Sequence, residues 1–434
     1  MPSRSDIHYF GAGPAPLPTA VLERASQALL NYNDKGIGLC EISHRSPEAN
    51  QILTDAKVSL TNLLDIPDDY EILFLQAGGS GEFSAVVYHM VSVWVEKRRK
   101  RAEQETKSEG GSEQDLEAKV LERLRKEVKE ELRLDYLVSG SWSLKASQEA
   151  ARLIGPEHIN VAFDARKANE GKFGRIPPES EWKLTPRKPG AALTYFCDNE
   201  TVDGVEFPSF PQCLEADSEE DAPLVIADMS SNFISRKVDV KKYAAIFGGA
   251  QKNVGNAGVT IVIVRKSLLP PTSPLAASPL LRSLNLPVGP IVLDWPTIAK
   301  NNSLYNTLPI FDVWIAGQVM SGLMETYGDK RISGQQEVSD QKAKLLYGAL
   351  DKDSQVYHVV PDKSVRSRMN ICFRVHGGDS EKEKEFLAGA EKRGLTGLKG
   401  HRSVGGMRAS NYNAVSLEGV EKLVRYLEDY AQGS

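Results

Sequence analysis

The sequence of 434 residues is poor in cysteine and has no long apolar run. The four cysteines, Cys40, Cys197, Cys213 and Cys372, lie far apart and form no C-x-x-C pair. Neither a zinc site, nor any other metal site, nor a disulfide framework is therefore indicated. No apolar run approaches the length that spans a membrane, and the first residues contain no apolar signal-peptide core. We expect a cytoplasmic protein that does not bind a membrane.

An excess of positive charge is also lacking. The 53 lysines and arginines are outnumbered by 58 aspartates and glutamates, which gives a net charge of −5. This balance offers no electrostatic reason to expect nucleic-acid binding. A charged fraction of 26% and a hydrophobic fraction of 41% are ordinary for a folded globular chain. The length allows a large domain followed by a smaller one.

Two short apolar runs lead to an acid and to an amine. Residues 224–227 stop at Asp228, and residues 244–247 are followed by two glycines and then Lys252. Such runs are typical of buried parallel strands, and ligands bind beyond the carboxyl ends of these strands. A lysine with little water around it loses its proton more easily and becomes a Schiff-base nucleophile. Taken singly, a surface lysine and a helix-capping aspartate are the simpler interpretations.

Three further motifs suit anions. An apolar run at 72–75 is followed by AGGSGEF, which predicts a strand, a glycine loop and a helix whose first amides face a phosphate. His44-Arg45 precede a predicted helix start. Near the C-terminus, His401, Arg402 and Arg408 surround two glycines that permit a tight turn. A lone glycine loop is a weak signal and a lone arginine is more often a surface charge, but three cations around one turn favour an anion site.

Taken together, these motifs resemble the phosphoserine aminotransferases, a group within the class V, fold-type I enzymes that use pyridoxal phosphate. The resemblance rests on short stretches of sequence: D-x-S-S from Asp228, G-A-Q-K-N around Lys252, S-H-R-S at 43–46, G-x-W-S at 140–143, N-E-T-x-x-G-V-E-F at 199–207, Y-N-T at 305–307 and K-G-H-R-x-x-G-G-x-R-A-S-x-Y-N at 399–413. It covers nearly the whole chain except a charged segment and a proline-rich loop before residue 294.

The resemblance implies an α/β fold of fold-type I. Its large domain contains a mostly parallel seven-stranded sheet between helices, and a smaller α+β domain follows. We expect an N-terminal arm at 1–16, the large cofactor-binding domain at 17–308 and the small domain at 309–434. The charged segment at about 97–133 is predicted to be an insertion, disordered first and helical afterwards. Its KRRKR run at 97–101 is interpreted as a solvated charge run, with a nuclear signal as the alternative.

The resemblance also implies a role for individual residues. Lys252 would form the Schiff base with pyridoxal phosphate and carry the catalytic proton, and Asp228 would hold the ring nitrogen. The implied cofactor-binding residues are Gly79, Ser80, Trp142, Thr201, Asp228, Gln251, Lys252, Asn306 and Thr307. The implied substrate-binding residues are His44, Arg45, His401 and Arg402 for the phosphate and Arg408 for the α-carboxylate. Asn306 and Thr307 would reach the cofactor of the partner subunit in a homodimer.

The implied reaction is a ping-pong transamination in serine biosynthesis. It interconverts 3-phosphohydroxypyruvate and L-glutamate with O-phospho-L-serine and 2-oxoglutarate. One alternative is another class V enzyme, such as a cysteine desulfurase or an alanine–glyoxylate transaminase, although no cysteine lies in a setting recognisable for a desulfurase. A second alternative is a non-catalytic binding protein on the same scaffold, which the retained lysine, aspartate and cations disfavour.

Overall fold

The computed structural model describes residues 2–109, 113–188, 190–216 and 222–433. Its strands are β1 (His8–Tyr9), β2 (Tyr70–Leu75), β3 (Leu134–Val138), β4 (Ile159–Asp164), β5 (Leu193–Cys197), β6 (Asn199–Glu200), β7 (Val205–Glu206), β8 (Val225–Asp228), β9 (Ala245–Gly249), β10 (Thr260–Arg265), β11 (Tyr357–Val359), β12 (Asn370–Val375), β13 (Leu395–Thr396) and β14 (Met407–Ser410). Its α-helices are α1 (Thr19–Ala28), α2 (Pro47–Leu64), α3 (Gly78–Glu109), α4 (Glu113–Glu131), α5 (Ser141–Ile154), α6 (Ser278–Ser283), α7 (Trp295–Lys300), α8 (Ile310–Tyr327), α9 (Arg331–Lys352), α10 (Ser380–Lys392) and α11 (Leu417–Gly433).

The largest sheet has seven strands in the order β2-β10-β9-β8-β5-β3-β4. Strand β10 runs antiparallel to both β2 and β9, and the other neighbours are parallel. The prediction of a mostly parallel seven-stranded sheet is confirmed. Because β8 and β9 are parallel neighbours, with Asp228 opposite Phe247, their carboxyl ends lie at the same edge of the sheet.

Both faces of this sheet are covered, which explains why its strands are apolar almost without interruption. Alternate residues point to opposite faces, so Ile226 packs into one hydrophobic cluster and its neighbours Val225 and Ala227 into another. Helices α2 and α8 contribute to the cluster around Ala227. Helices α3, α4 and α5 contribute to the cluster around Ile226. The sheet edge at which β8 and β9 end is therefore supported by a packed core on both faces.

The C-terminal part of the chain forms a second layer. Strands β11, β12 and β14 make an antiparallel sheet that packs with α9, α10 and α11 around a third cluster, which includes Phe373, Phe386 and Leu423. The N-terminal arm joins this layer, because β1 pairs with β13 and Ser410 N donates to the carbonyl of Phe10 at 3.0 Å. The division into an arm, a large domain and a small domain stays a prediction.

The charged segment corrects one expectation. Helix α3 continues through the KRRKR run to Glu109, so the predicted disorder of this first part is wrong; residues 110–112 lie outside the described ranges. The arginines of the run are paired along and between two helices: Arg99 Nε lies 2.8 Å from Glu96, and Arg101 Nη2 lies 2.9 Å from Glu127 on α4. Leu124 of α4 is fully buried against this side of the core, as the predicted apolar stripe requires. We call α3 beyond residue 96 and α4 the helical hairpin.

Among the described residues, no helix combines the length and the apolar character that crossing a membrane requires.

Candidate active site

The acid and the amine predicted to act together lie at the carboxyl edge of the large sheet. Asp228 is buried at the end of β8, and its Oδ1 accepts a hydrogen bond from Ser230 N at 2.8 Å. Lys252 follows shortly after β9, and its Nζ donates to Thr201 Oγ1 at 2.8 Å. Burial raises the pKa of Asp228, and the charge of Lys252 partly offsets this. Burial lowers the pKa of Lys252 to about 8, against the opposing effect of Asp228.

Lys252 lines a cavity of about 660 Å³. The predicted site residues that line this cavity are Trp142, Thr201, Gln251, Lys252, His401 and Arg408. They come from four separate parts of the chain, between residues 142 and 408. The fold therefore brings the predicted ring-stacking, Schiff-base and carboxylate-binding groups to one place.

The glycine loop forms one wall of the cavity. Gly79 and Ser80 lie in the first turn of α3, where backbone amides have no acceptor within the helix. Gly78 has a φ of +61°, which favours glycine, and its N donates to Thr260 Oγ1 at 2.8 Å. A Cβ placed on Gly79 would lie 3.9 Å from Asp228 Oδ2. The positive end of α3 and the carboxyl of Asp228 thus face the same space, as a phosphate and a ring nitrogen on one ligand would need.

Trp142 stands at the start of α5. Its indole Nε1 is buried and has no hydrogen-bond partner within the described part of the chain, and Lys145 Nζ lies 4.2 Å from the ring centroid. The first turn of α5 is bound by Glu200, whose Oε2 accepts from Trp142 N at 2.8 Å. Sequence reasoning missed Glu200, although it lies within the N-E-T motif beside the predicted Thr201. The sequence does not show that Glu200 contacts Trp142, because 58 residues separate the two partners.

The cations predicted near the C-terminus divide into two groups. Arg408 is only 9% exposed and donates from Nη1 to the carbonyl of Thr201 at 3.1 Å. His401 lines the same cavity, and its Nδ1 lies 2.6 Å from Ser403 Oγ. Partial burial lowers the pKa of His401, and the charge of Arg408 lowers it further. Arg402 is exposed and does not line the cavity.

Seven other predicted residues also lie outside the cavity lining: Gly79, Ser80, Asp228, His44, Arg45, Asn306 and Thr307. His44 is partly buried, with no described partner for its Nε2, and Arg45 is exposed. Asn306 and Thr307 are exposed as well. Asn306 Nδ2 donates at 2.8 Å to the side chain of Gln76, which does line the cavity. Asn306 therefore stands at the rim of the cavity of its own chain.

The N-terminal arm also lines the cavity, a role that the sequence did not predict. Ala12, Gly13 and Pro14 line the cavity, and Ala15 N donates to the carbonyl of Gln251 at 2.9 Å. Gly13 has a φ of +122°, and a Cβ there would lie 3.3 Å from Lys252 Cγ. The glycine- and proline-rich composition was visible in the sequence, but its contact partner was not.

The donor set fits a flat, anionic cofactor with a basic ring nitrogen. Asp228 is a buried carboxyl with a raised pKa, which a cationic ring nitrogen would compensate. Lys252 presents an amine with a lowered pKa, and the amides of Gly79 and Ser80 lie in the first turn of α3, where they have no acceptor within the helix. Within the described ranges, no cluster of three or more histidine, cysteine, aspartate or glutamate side chains is arranged to hold a metal ion. These properties match pyridoxal phosphate.

Comparison with known proteins agrees with this site. Residues 7–103 and 110–423 match the family model described as Aminotransferase class-V, and the chain belongs to that family. Within it, the chain is 41% identical to the phosphoserine aminotransferase of Saccharomyces cerevisiae over 429 residues, which are 99% of this chain and 98% of that protein.

Solved structures show the same likeness. The phosphoserine aminotransferase of Bacillus circulans subsp. alkalophilus has a TM-score of 0.78 and 34% identity, with 98% of this chain and 99% of that chain covered. The pyridoxal phosphate-bound phosphoserine aminotransferase of Trichomonas vaginalis has a TM-score of 0.77 and 32% identity, with 97% and 99% covered. The likeness thus spans nearly the whole chain.

Proposed function

We propose that this protein transfers the amino group of L-glutamate to 3-phosphohydroxypyruvate, giving O-phospho-L-serine and 2-oxoglutarate in serine biosynthesis. It is a pyridoxal phosphate-dependent aminotransferase, as its class V family and its full-length likeness to phosphoserine aminotransferases indicate. The observation that carries the proposal is the placement of Lys252, with its lowered pKa, in one cavity with the buried guanidinium of Arg408. A nucleophilic amine and a carboxylate-binding group are what transamination of an amino acid requires.

The proposed mechanism assigns proton chemistry to Lys252. When bound, pyridoxal phosphate supplies an electron sink that stabilises negative charge at the substrate Cα. Lys252 Nζ would hold the cofactor covalently and, when free, would be the base that carries a proton from the substrate Cα to the cofactor. Asp228, buried at the end of β8, would hold the ring nitrogen in its protonated form. Thr201 Oγ1, 2.8 Å from Lys252 Nζ, orients the amine.

The substrate would be bound at both of its charged ends. Arg408 is proposed to turn its planar guanidinium to the α-carboxylate, which suits a two-bond contact. His401 and Arg402 are proposed to contact the phosphate, together with His44 and Arg45. L-Glutamate would place its side-chain carboxylate where the phosphate lies, so one set of cations serves both half-reactions.

We further propose that the protein works as a homodimer. Its support is that His44 and Arg45 do not line the cavity of their own chain, although their motif matches a phosphate-binding one. In the dimer they would complete the partner's cavity. The same role for Asn306 and Thr307 stays a prediction, since Asn306 also bonds Gln76 of its own chain.

Mixed dimers of Lys252→Ala and Arg45→Ala test this sharing of sites. If Arg45 serves the partner, one of the two cavities in a mixed dimer contains both defects and the other contains none. Mixing the two impaired variants should then restore activity. If Arg45 serves its own chain, each cavity has one defect, and the mixture should stay as inactive as the separate variants.

The reaction itself is tested by a coupled assay with L-glutamate and 3-phosphohydroxypyruvate. Varying both substrates should give the parallel double-reciprocal lines of a ping-pong mechanism. An alanine–glyoxylate transaminase would instead prefer alanine and glyoxylate, and a desulfurase would release sulfide from cysteine. No turnover with glutamate and 3-phosphohydroxypyruvate in the cofactor-loaded protein would refute the proposed function.

The structure offers little to the desulfurase alternative. None of the described residues that line the cavity is a cysteine. Cys197 and Cys372 are buried, Cys213 is half-buried and Cys40 is exposed, and all four are free thiols. A cytoplasmic location stays a prediction, and the free thiols are compatible with a reducing compartment.

A further inference from the structure

One short hairpin connects several elements of the cavity. It consists of β6, the turn after it and β7, that is residues 199–206, and we call it the site hairpin. Thr201 in its turn accepts from Lys252 through its side chain and from Arg408 through its carbonyl. Glu200 and Asp203, which lie before and after Thr201, contact a third element, the first turn of α5 that carries Trp142.

Glu200 makes most of the contacts with α5. Its Oε2 accepts from Trp142 N at 2.8 Å, and its Oε1 accepts from Ser143 N at 2.9 Å and from Ser143 Oγ at 2.6 Å. Asp203 adds a fourth hydrogen bond, because its Oδ2 accepts from Ser141 N at 2.7 Å. Glu200 has no exposed surface, and Asp203 is only 6% exposed. Three successive amides of α5 are therefore bound by two buried carboxylates from a distant part of the chain.

This arrangement replaces the usual local cap of a helix. A helix normally begins after a serine, threonine, aspartate or asparagine whose side chain binds the first amides. The residue before α5 is Gly140, which has no side chain to do so. A Cβ on Gly140 would lie 2.4 Å from Glu200 Cδ, so glycine is what admits the carboxylate. The first turn of α5 thus depends on acceptor oxygens of the site hairpin.

We propose that Glu200, assisted by Asp203, is a positioning residue that fixes the first turn of α5, and with it the indole of Trp142, relative to Thr201 and Lys252. The effect of Glu200 on catalysis rests on the proposed function, in which Trp142 contacts the cofactor ring. The effect of Glu200 on the first turn of α5 does not rest on it, because these contacts join groups of the protein alone. The site hairpin then sets the distance between the stacking ring and the reactive amine.

The proposal predicts a local change in the cofactor-free protein. Glu200→Gln retains the shape of the side chain but replaces one acceptor oxygen with a donor that faces a backbone amide. Hydrogen exchange of the peptide covering residues 139–147, measured by mass spectrometry, should become about tenfold faster. Asp203→Asn removes charge from the cap with a single contact to Ser141 and should give a smaller change in the same peptide.

A helix cap remote from the cavity provides the matched control. Asp379 binds the amides of Glu381 and Lys382 at 2.9 Å each at the start of α10. Asp379→Asn should loosen α10 and leave exchange at residues 139–147 unchanged. In the loaded enzyme, Glu200→Gln should weaken cofactor binding about tenfold and lower kcat with little change in the KM for glutamate, whereas Asp379→Asn should do neither.

The outcomes separate the two proposals. Unchanged exchange at residues 139–147 in Glu200→Gln would overturn the positioning role, and so would an equal change in Asp379→Asn. If Glu200→Gln fails to fold, Asp203→Asn decides the question by the same peptide. An inactive wild-type enzyme would refute the proposed function, yet the exchange result on the cofactor-free protein would still stand.

Discussion

The active site and the helical hairpin are both rich in charged side chains, but the buried charges have different partners in the two regions. In the hairpin, Glu127 is 7% exposed and lies within salt-bridge distance of Arg98, Arg101 and Arg123. At the carboxyl edge of the sheet, Asp228 is also buried, yet its hydrogen bond comes from the uncharged amide of Ser230. In the hairpin the buried carboxylate has cationic partners, whereas the charge of Lys252 only partly offsets the burial of Asp228.

The difference indicates what each region is for. A buried charge with matched partners stabilises or specifies a structure and has no remaining capacity for a ligand. A buried charge without a matched partner has a perturbed pKa and is costly to keep, which is typical of functional sites. Charge density alone therefore does not locate the active site of this protein, but the pairing of charges does distinguish the hairpin from the edge of the sheet that carries Asp228 and Lys252.

Removing one lysine from each region separates the two most clearly. Lys252→Ala should lower kcat/KM by at least about 10³-fold, because proton transfer at Cα loses its base. The variant should also lack the visible absorbance band of the covalently attached cofactor. Lys107→Ala in the hairpin breaks an ion pair with Glu103 and should leave both quantities unchanged. A normal visible band in Lys252→Ala would contradict the assignment.

The anion-binding arginines should show a selectivity that hairpin arginines lack. Arg45→Ala and Arg402→Ala should lower kcat/KM for 3-phosphohydroxypyruvate about tenfold to a hundredfold more than for hydroxypyruvate, since the lost bonds are to the phosphate. Arg101→Ala serves as the hairpin control and should not change the ratio of the two substrates. Equal losses on both substrates would argue against a phosphate role.

The lowered pKa of Lys252 predicts a pH dependence for loading of the cofactor. Only the neutral amine reacts with the aldehyde, so covalent attachment to the cofactor-free protein should speed up as the pH rises to about 8 and then level off. Stopped-flow absorbance measures this rate, with Nα-acetyl-lysine, whose side-chain amine is free in water, as the control. A midpoint near the usual value of 10.5 would contradict the effect of burial.

The free energy of unfolding should depend on pH through the same lowered pKa of Lys252. In the window between about 8 and 10.5, the unfolded chain still binds a proton at Lys252 that the folded chain has released. The contribution of Lys252 to the free energy of unfolding of the cofactor-free protein should therefore rise with pH across this window. The difference between wild type and Lys252→Met in urea unfolding, measured at both ends of the window, isolates this contribution.

The smallest expected effect lies in the hairpin. Glu127→Gln removes the negative charge that three arginines share and should lower the free energy of unfolding by about 1–2 kcal/mol, a value reduced because two of those arginines are partly exposed. Urea unfolding measures this change, and transaminase activity at 25 °C should be unaffected. A loss of activity without a loss of stability would show that the hairpin takes part in the function.

The sequence predicted the parts of the molecule that depend on local patterns. Apolar runs such as 224–227 were interpreted as buried strands because both faces of the sheet are covered, and the strands lie there. The apolar stripe through Leu124 predicted α4 for the same reason. The same patterns predicted Asp228 and Lys252 just beyond the ends of two such strands, and Asp228 ends β8 while Lys252 follows β9.

Features that depend on distant contacts were not predictable. The continuity of α3 through KRRKR requires glutamates of α4, which the sequence does not show to be adjacent. The cap of α5 by Glu200 joins residues 57 and 58 positions apart. The lining of the cavity by Gly13 depends on the pairing of β1 with β13, nearly 400 residues later.

Helix α3 begins at the glycine loop beside the cavity and runs without interruption for 32 residues. At 1.5 Å per residue, this makes a rod of about 48 Å whose inner end carries the amides meant for a phosphate. Because a hydrogen-bonded helix resists stretching, an antibody or surface that grips its outer end also holds the ligand-binding end in place. Attachment chemistry directed to the outer end would thus immobilise the enzyme while leaving the mouth of the cavity open to substrate.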